Sequence, residues 1–214
     1  MTEQLLSIVD AAFPLKEQPA SEYAKLKAKG MTFRIRTFQA DGFGSLSLME
    51  ASGMMGLMKM DTLILTPLLR DVPLLSYDRI HAAGKDTILC DVLDTMTGPY
   101  TGTELVGVIE SAAGLPDYDL GTHWYDTLRL PGVFGKTGGK KQTAEFDDLA
   151  VRFMKAYVDM AKAAPAADPE EKRTKTKVYV DGLLSHGGPS TDVFVKAFGK
   201  EKTEDLYHRV LFDA

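Results

Sequence analysis

Cysteine is almost absent from this chain. A single Cys90 among 214 residues excludes a disulfide framework and any zinc or iron–sulfur site built on thiolates of this chain alone. Histidine is scarce as well. His81, His123, His186 and His208 are scattered, and no His-Glu-x-x-His occurs, so no local pattern marks a metal site. Excess positive charge is missing: 25 Lys and Arg against 30 Asp and Glu leave a formal charge of −5. That argues against a general nucleic-acid binder, because phosphates call for a basic field. No apolar run approaches the roughly 20 residues of a membrane span. The opening MTEQLLSIVDAAFPLKEQ carries early acids and no basic n-region, unlike a signal peptide. Nucleotide signatures are lacking too. There is no Gly-x-Gly-x-x-Gly between a strand and a helix, and no Gly-x-Ser-x-Gly elbow. In GVFGKTGGKK only three residues separate Gly135 from Gly139, so the phosphate-loop register fails.

What is present predicts a soluble cytoplasmic protein forming one domain over 1–214. Apolar residues make up 44% of the chain, enough for a substantial core. Leu5, Leu6, Ile8, Val9 and Ala12 lie near helical spacing, and a second helix is expected over Ser21–Lys29, ending at Gly30. The texture then changes to period two. MTFRIRTFQ, FGSLSLMEA, MDTLILTPLL, LLSYDRIH and DTILCDVLD read as successive strands, with Asp41-Gly42 as a hairpin signal. Short connections imply an antiparallel meander. Thr103–Ala112 predicts a helix. Residues 114–143 form a long connection pinned by Trp124, Tyr125, Pro131 and Phe134, of a length that tends to be functional. The clearest helix covers 144–163, with Phe146, Leu149, Phe153, Tyr157 and Met160 on one stripe. Residues 164–177 read as a polar connector, VYVDGLL as a short ordered piece, and the C-terminus as two short helices. Strands first and helices later is the order of an α+β fold with helices on the sheet.

Three features carry candidate chemistry. Asp61 heads a very apolar strand, where burial would raise its pKa and let it hold a proton near neutrality; the alternative is a solvated strand-end carboxylate. Asp91, between Cys90 and Val92, is a weaker case of the same kind. Arg34 and Arg36 share one face of their strand about 7 Å apart, suited to two carboxylates of one ligand or to ordinary salt bridges.

Taken together, MTFRIRTFQADGFGSLSLMEA, MDTLILTPLLRDVPLLSYDRI, TILCDVLD and VFVKAFGKEKTEDLYHRVLFD resemble the ferredoxin-dependent bilin reductases and the related red chlorophyll catabolite reductases. The likeness rests on the strand–Pro–Asp-x-Pro–strand pattern of 61–80 and on the ending Phe198-Gly199-Lys-Glu followed by Val210-Leu211-Phe212-Asp213, and covers roughly 30–100 and 145–213. It implies a three-layer α/β/α sandwich with a central antiparallel sheet, holding a linear tetrapyrrole between the sheet and the C-terminal helices. It further implies no tightly bound cofactor and no metal. Reduced ferredoxin supplies electrons and the protein supplies protons. By this resemblance the proton-donating Asp falls on Asp61; the spacing of Arg34 and Arg36 makes them the candidates to hold the propionates of such a ligand. The Glu and His of the phycocyanobilin-forming branch fall on Arg36 and Ser47, which are not proton donors near neutral pH. Residues Lys136, Lys140 and Lys141, or Lys172, Arg173, Lys175 and Lys177, are candidates for docking an acidic ferredoxin. A non-catalytic tetrapyrrole-binding protein, or an enzyme with an unrelated substrate in the same cleft, stays open beside this reading.

Overall fold

The computed structural model describes residues 1–188 and 190–214. The N-terminal periodicity forms helix α1 (Thr2–Asp10), and a short strand β1 (Leu15–Gln18) follows it. Ser21–Lys29 is not the expected helix. It is a 3₁₀ turn at Ser21–Tyr23 and a strand, β2 (Lys25–Ala28). The reason lies in KLKA itself: Leu26 and Ala28 are buried and Lys25 and Lys27 exposed, a period of two. Lys29 and Gly30, with φ of 48° and 77°, make the two-residue turn that reverses the chain.

The meander then runs through β3 (Met31–Ala40), β4 (Gly44–Gly53), β5 (Met58–Pro67), β6 (Leu74–Ala82) and β7 (Lys85–Leu93), each antiparallel to the last. After helix α2 (Thr103–Glu110), the long connection contains a 3₁₀ turn at Trp124–Leu128 and a strand, β8 (Phe134–Gly138), that pairs with β7. At the other edge, β1 and β2 share β3, pairing with Thr37–Ala40 and Met31–Arg34 respectively. Among the described residues the sheet has eight strands, all antiparallel, in a mixed α+β fold with flanking helices.

Helix α3 (Thr143–Ala163) buries its apolar stripe as expected. The supposed connector at 164–177 is largely helix α4 (Pro169–His186). Asp168 caps it by accepting from the backbone N–H groups of Glu170 and Glu171, Pro169 opens the first turn, and the two Glu side chains complement the helix dipole. Its inner face hides Lys172, Thr176, Tyr179, Val180 and Leu183, a stripe whose polar first half carries no apolar signal. The chain ends in α5 (Thr191–Phe198), α6 (Lys200–Asp205) and a π-helical turn at Leu206–Leu211, where the Phe212 N–H donates to the Tyr207 carbonyl at 3.0 Å.

Alternate residues of the strands feed two separate cores. Phe38, Leu48, Leu63, Tyr77 and Cys90 pack with α1, α2 and α3; Phe33, Ile35, Met49, Ile64 and Leu74 pack with α4, α5 and the C-terminal turn. Cross-strand register makes these opposite faces: Leu48, Leu63, Tyr77 and Cys90 form one transverse row, while Met49 and Thr62 stand in the next, pointing the other way. Helices therefore flank both faces, and everything about the site follows from which face a residue takes.

Candidate functional site

A cavity of about 360 Å³ lies between the sheet and the C-terminal helices, within the size range of small-molecule sites. Its floor is three transverse rows of the sheet: Met60 and Ile80; Met49, Thr62, Asp78 and Leu89; Ile64, Ser76 and Asp91. Tyr179 and Leu183 of α4 and Tyr207, Leu211 and Phe212 of the C-terminal turn form the roof. The side wall is the long connection, through Leu120, His123, Tyr125 and Arg129. Its functional reading therefore rests on position: Trp124 packs on Tyr125 and Tyr179, and Arg129 lies 5.0 Å over the Tyr125 ring.

Asp78 is the floor carboxyl whose pKa is shifted. Its carboxylate opens onto the cavity but sits deep in the protein, and burial pushes its pKa up to about 6. The Thr62 hydroxyl, directly opposite on β5, donates to it and pulls the value back, while the negative charge of Asp91 adds to the rise. Asp91, diagonal to Asp78 on β7, is tied up: the Arg129 Nε donates to it at 2.8 Å, and Arg129 Nη1 reaches Asp126 at 2.7 Å. Burial holds the Tyr125 and Tyr207 hydroxyls at about 12, so these side chains stay neutral. Among the described residues no three His, Cys, Asp or Glu side chains come together as a metal-ligand set.

The sequence-expected residues fall mostly elsewhere. Asp61 does share a face with Leu63, but that face carries α1, and its carboxylate accepts from the Thr2 hydroxyl at 2.9 Å. It does not line the cavity. Arg34 and Arg36 stand on the same α1 face. Arg34 is exposed, and Arg36 is held by Glu17 at 3.0 Å and Glu3 at 2.7 Å. Neither reaches the cavity. Ser47 alone is on the cavity face, 1% exposed, and its hydroxyl is spent on the Leu211 carbonyl at 2.8 Å, where it fastens the roof to the floor. Of the lysines expected on a docking rim, two are internal. Lys136 donates to the Leu115 carbonyl and to Asp117, and Lys172, 0% exposed, donates to the Val72 carbonyl at 2.7 Å beside Asp71. The cavity-floor carboxyl that the sequence reading did not single out is Asp78. Its signal was the polar face of LLSYDRIH, where Ser76 and Asp78 alternate with Leu75 and Tyr77.

With this geometry in hand, comparison with solved structures is decisive for the fold. The crystal structure of phytochromobilin synthase from tomato in complex with biliverdin superposes with a TM-score of 0.73, over 96% of this chain and 79% of that one, at 15% sequence identity. The chain has the fold of a bilin reductase. No protein-family description matches the sequence. No curated protein matches it either. Tomato phytochromobilin synthase binds biliverdin in its crystal. The likeness of fold thus agrees with the resemblance carried by 30–100 and 145–213, while at such low identity the site must be argued from its own residues.

Proposed function

We propose that this protein is a bilin-reductase-like oxidoreductase that binds a linear tetrapyrrole above Asp78 and protonates it as ferredoxin delivers electrons. In this reading 1–214 acts as one domain, a three-layer α/β/α sandwich, with the ligand between the sheet and the C-terminal helices. The observation that carries it is a buried carboxylic acid with a pKa of about 6 at the centre of a cavity floor, in a chain with this fold. A group titrating there is partly protonated near neutrality and can give its proton up, the requirement for general acid catalysis. Reduction of one double bond consumes two electrons and two protons. Ferredoxin supplies the electrons singly, Asp78 passes a proton to the one-electron-reduced ligand, and solvent at the open mouth recharges it. The role expected of Asp61 passes to Asp78, and Asp61 becomes a partner of α1.

A carrier that binds without reducing is the second reading. It is favoured by the commitment of Asp91 to Arg129, which leaves Asp78 as the one carboxyl of the described floor residues without an ion pair. Titration of the protein with biliverdin, followed in the visible spectrum, tests what the two readings share. We expect a shifted, saturable band at micromolar ligand; an unperturbed spectrum contradicts both. Anaerobic photoreduction of the complex with ferredoxin then separates them, because only the enzyme bleaches the bound chromophore.

A further inference from the structure

The cavity's charges identify which part of a ligand it recognises. Its charged lining residues are Asp78, Asp91, Asp119 and Arg129, with His123 beside them. The cation is already neutralised twice, by Asp91 at 2.8 Å and Asp126 at 2.7 Å. His123 is stacked on Tyr125 with ring centroids 4.9 Å apart, and its Nε2 lies 2.7 Å from the Leu120 carbonyl, which only a donated N–H satisfies. Among the described lining residues, then, no cation is free to receive a carboxylate. The wall that remains is Asp78 and Asp91 on the floor and Asp119 at the exposed rim, with Ser76 and tyrosines between them. Cations without ion-pair partners, such as Lys25, Lys27, Arg34 and Lys59, stand on the other face of the sheet or at its edge.

Resting on the tetrapyrrole reading above, we propose that the cavity selects the nitrogen-bearing edge of the conjugated ligand and gives its carboxylates no anchor. The N–H groups of the pyrrole rings match the oxygens of Asp78, Asp91 and Ser76 on the floor, because each keeps a lone pair to accept with beside its existing partner. The propionates project through the open mouth into water. The substrate class is therefore set by the ring system, and tetrapyrroles with esterified or neutral side chains are accepted as readily as the diacid.

Competition between biliverdin and its dimethyl ester tests this, with affinities measured by visible titration at low and at about physiological salt. A carboxylate held by a protein cation gains about tenfold or more. We expect the two affinities to agree within fivefold, with little dependence on salt. A preference of fivefold or more for the diacid overturns the inference while leaving the tetrapyrrole reading intact. Failure of both ligands to bind overturns that reading and this inference with it. Asp119→Lys, at an exposed rim position, serves as the converse: it should create a diacid preference that fades with salt, and absence of such a preference also counts against the inference, because it would show the propionates lying away from the mouth.

Discussion

The proton held by Asp78 has a thermodynamic cost that can be read in stability. Its pKa is raised from 3.8 to about 6 in the folded protein, so the folded state binds the proton more tightly than the unfolded chain. Stability from this group is complete below pH 4 and lost as pH rises through 6. Asp78→Asn keeps the shape and can still accept from Thr62. We expect it to raise stability at pH 8 by roughly 1–3 kcal/mol and to remove the loss between about pH 4 and pH 6, as urea unfolding at the two extremes would report. An unchanged pH profile would mean that the carboxylate is hydrated like a surface group. Thr62→Val removes the one hydrogen bond that lowers the Asp78 pKa, so the alkaline limb of activity, where the general acid has lost its proton, should move to higher pH. These residues were only half legible in the sequence. The alternation of Ser76 and Asp78 with Leu75 and Tyr77 predicts their strand and their common face. Nothing in the strands says which face receives α4 and which receives α1, and a strand as apolar as MDTLILTP is covered on both sides. Asp61 and Asp78 differ only in that choice.

At the level of elements, the cavity wall depends on one close approach. Gly182, one turn before the end of α4, lies under the Trp124 ring, and a Cβ there would come within 2.0 Å of its Cη2. The absence of a side chain lets the ring settle on the helix, with Tyr125 and Tyr179 against it. Gly182→Ala raises helix propensity by up to about 1 kcal/mol, but overpacking of this kind costs roughly 1–3 kcal/mol, so the net change should be destabilising. Trp124 is the chain's sole tryptophan, which makes its fluorescence a direct reporter. The variant should show red-shifted, more exposed emission together with weakened biliverdin binding. Emission and affinity like those of the parent would separate Trp124 from the wall. The start of helix α4 reads in the sequence as a connector, although Asp168, Pro169, Glu170 and Glu171 there form a cap and first turn. Its inner stripe begins with Lys172 and Thr176, polar residues that hide the helical period, and a buried lysine bonded to a carbonyl cannot be told by sequence from a solvated one. Strand β8 was lost within the long connection for a similar reason: FGKTG is short, glycine-rich and placed on an edge.

Across the whole molecule, the two faces of the sheet differ in what covers them. One bears the cavity. The other, beyond the reach of α1 to α3, ends in a bare stretch where Lys25, Lys27, Arg34 and Lys59 are exposed around Glu50. These four cations outnumber Glu50 and its cross-strand neighbour Asp61 and suit an acidic electron carrier better than the loops carrying the buried Lys136 and Lys172. Reversing Lys25 and Lys27 to Glu should slow reduction by ferredoxin severalfold at low salt without altering ligand affinity, and the difference should shrink at about physiological salt, where the Debye length is about 8 Å. Equal rates for parent and variant at low salt would move the docking site elsewhere. The meander, the antiparallel sheet and the late helices were legible because period and turn chemistry are local. The assignment of function to one face was not, because it depends on how distant segments return.

The most direct test compares two carboxylates on opposite faces. Asp78→Asn and Asp61→Asn, each loaded with biliverdin, are photoreduced anaerobically with ferredoxin and followed in the visible spectrum. We expect Asp61→Asn to turn over like the parent. Asp78→Asn should bind, accept an electron and stall as a slowly decaying radical, with turnover lowered by about 10²–10⁴-fold, the usual worth of a positioned general acid. Stalling by Asp61→Asn with normal turnover by Asp78→Asn would contradict the assignment of the site to the α4 face.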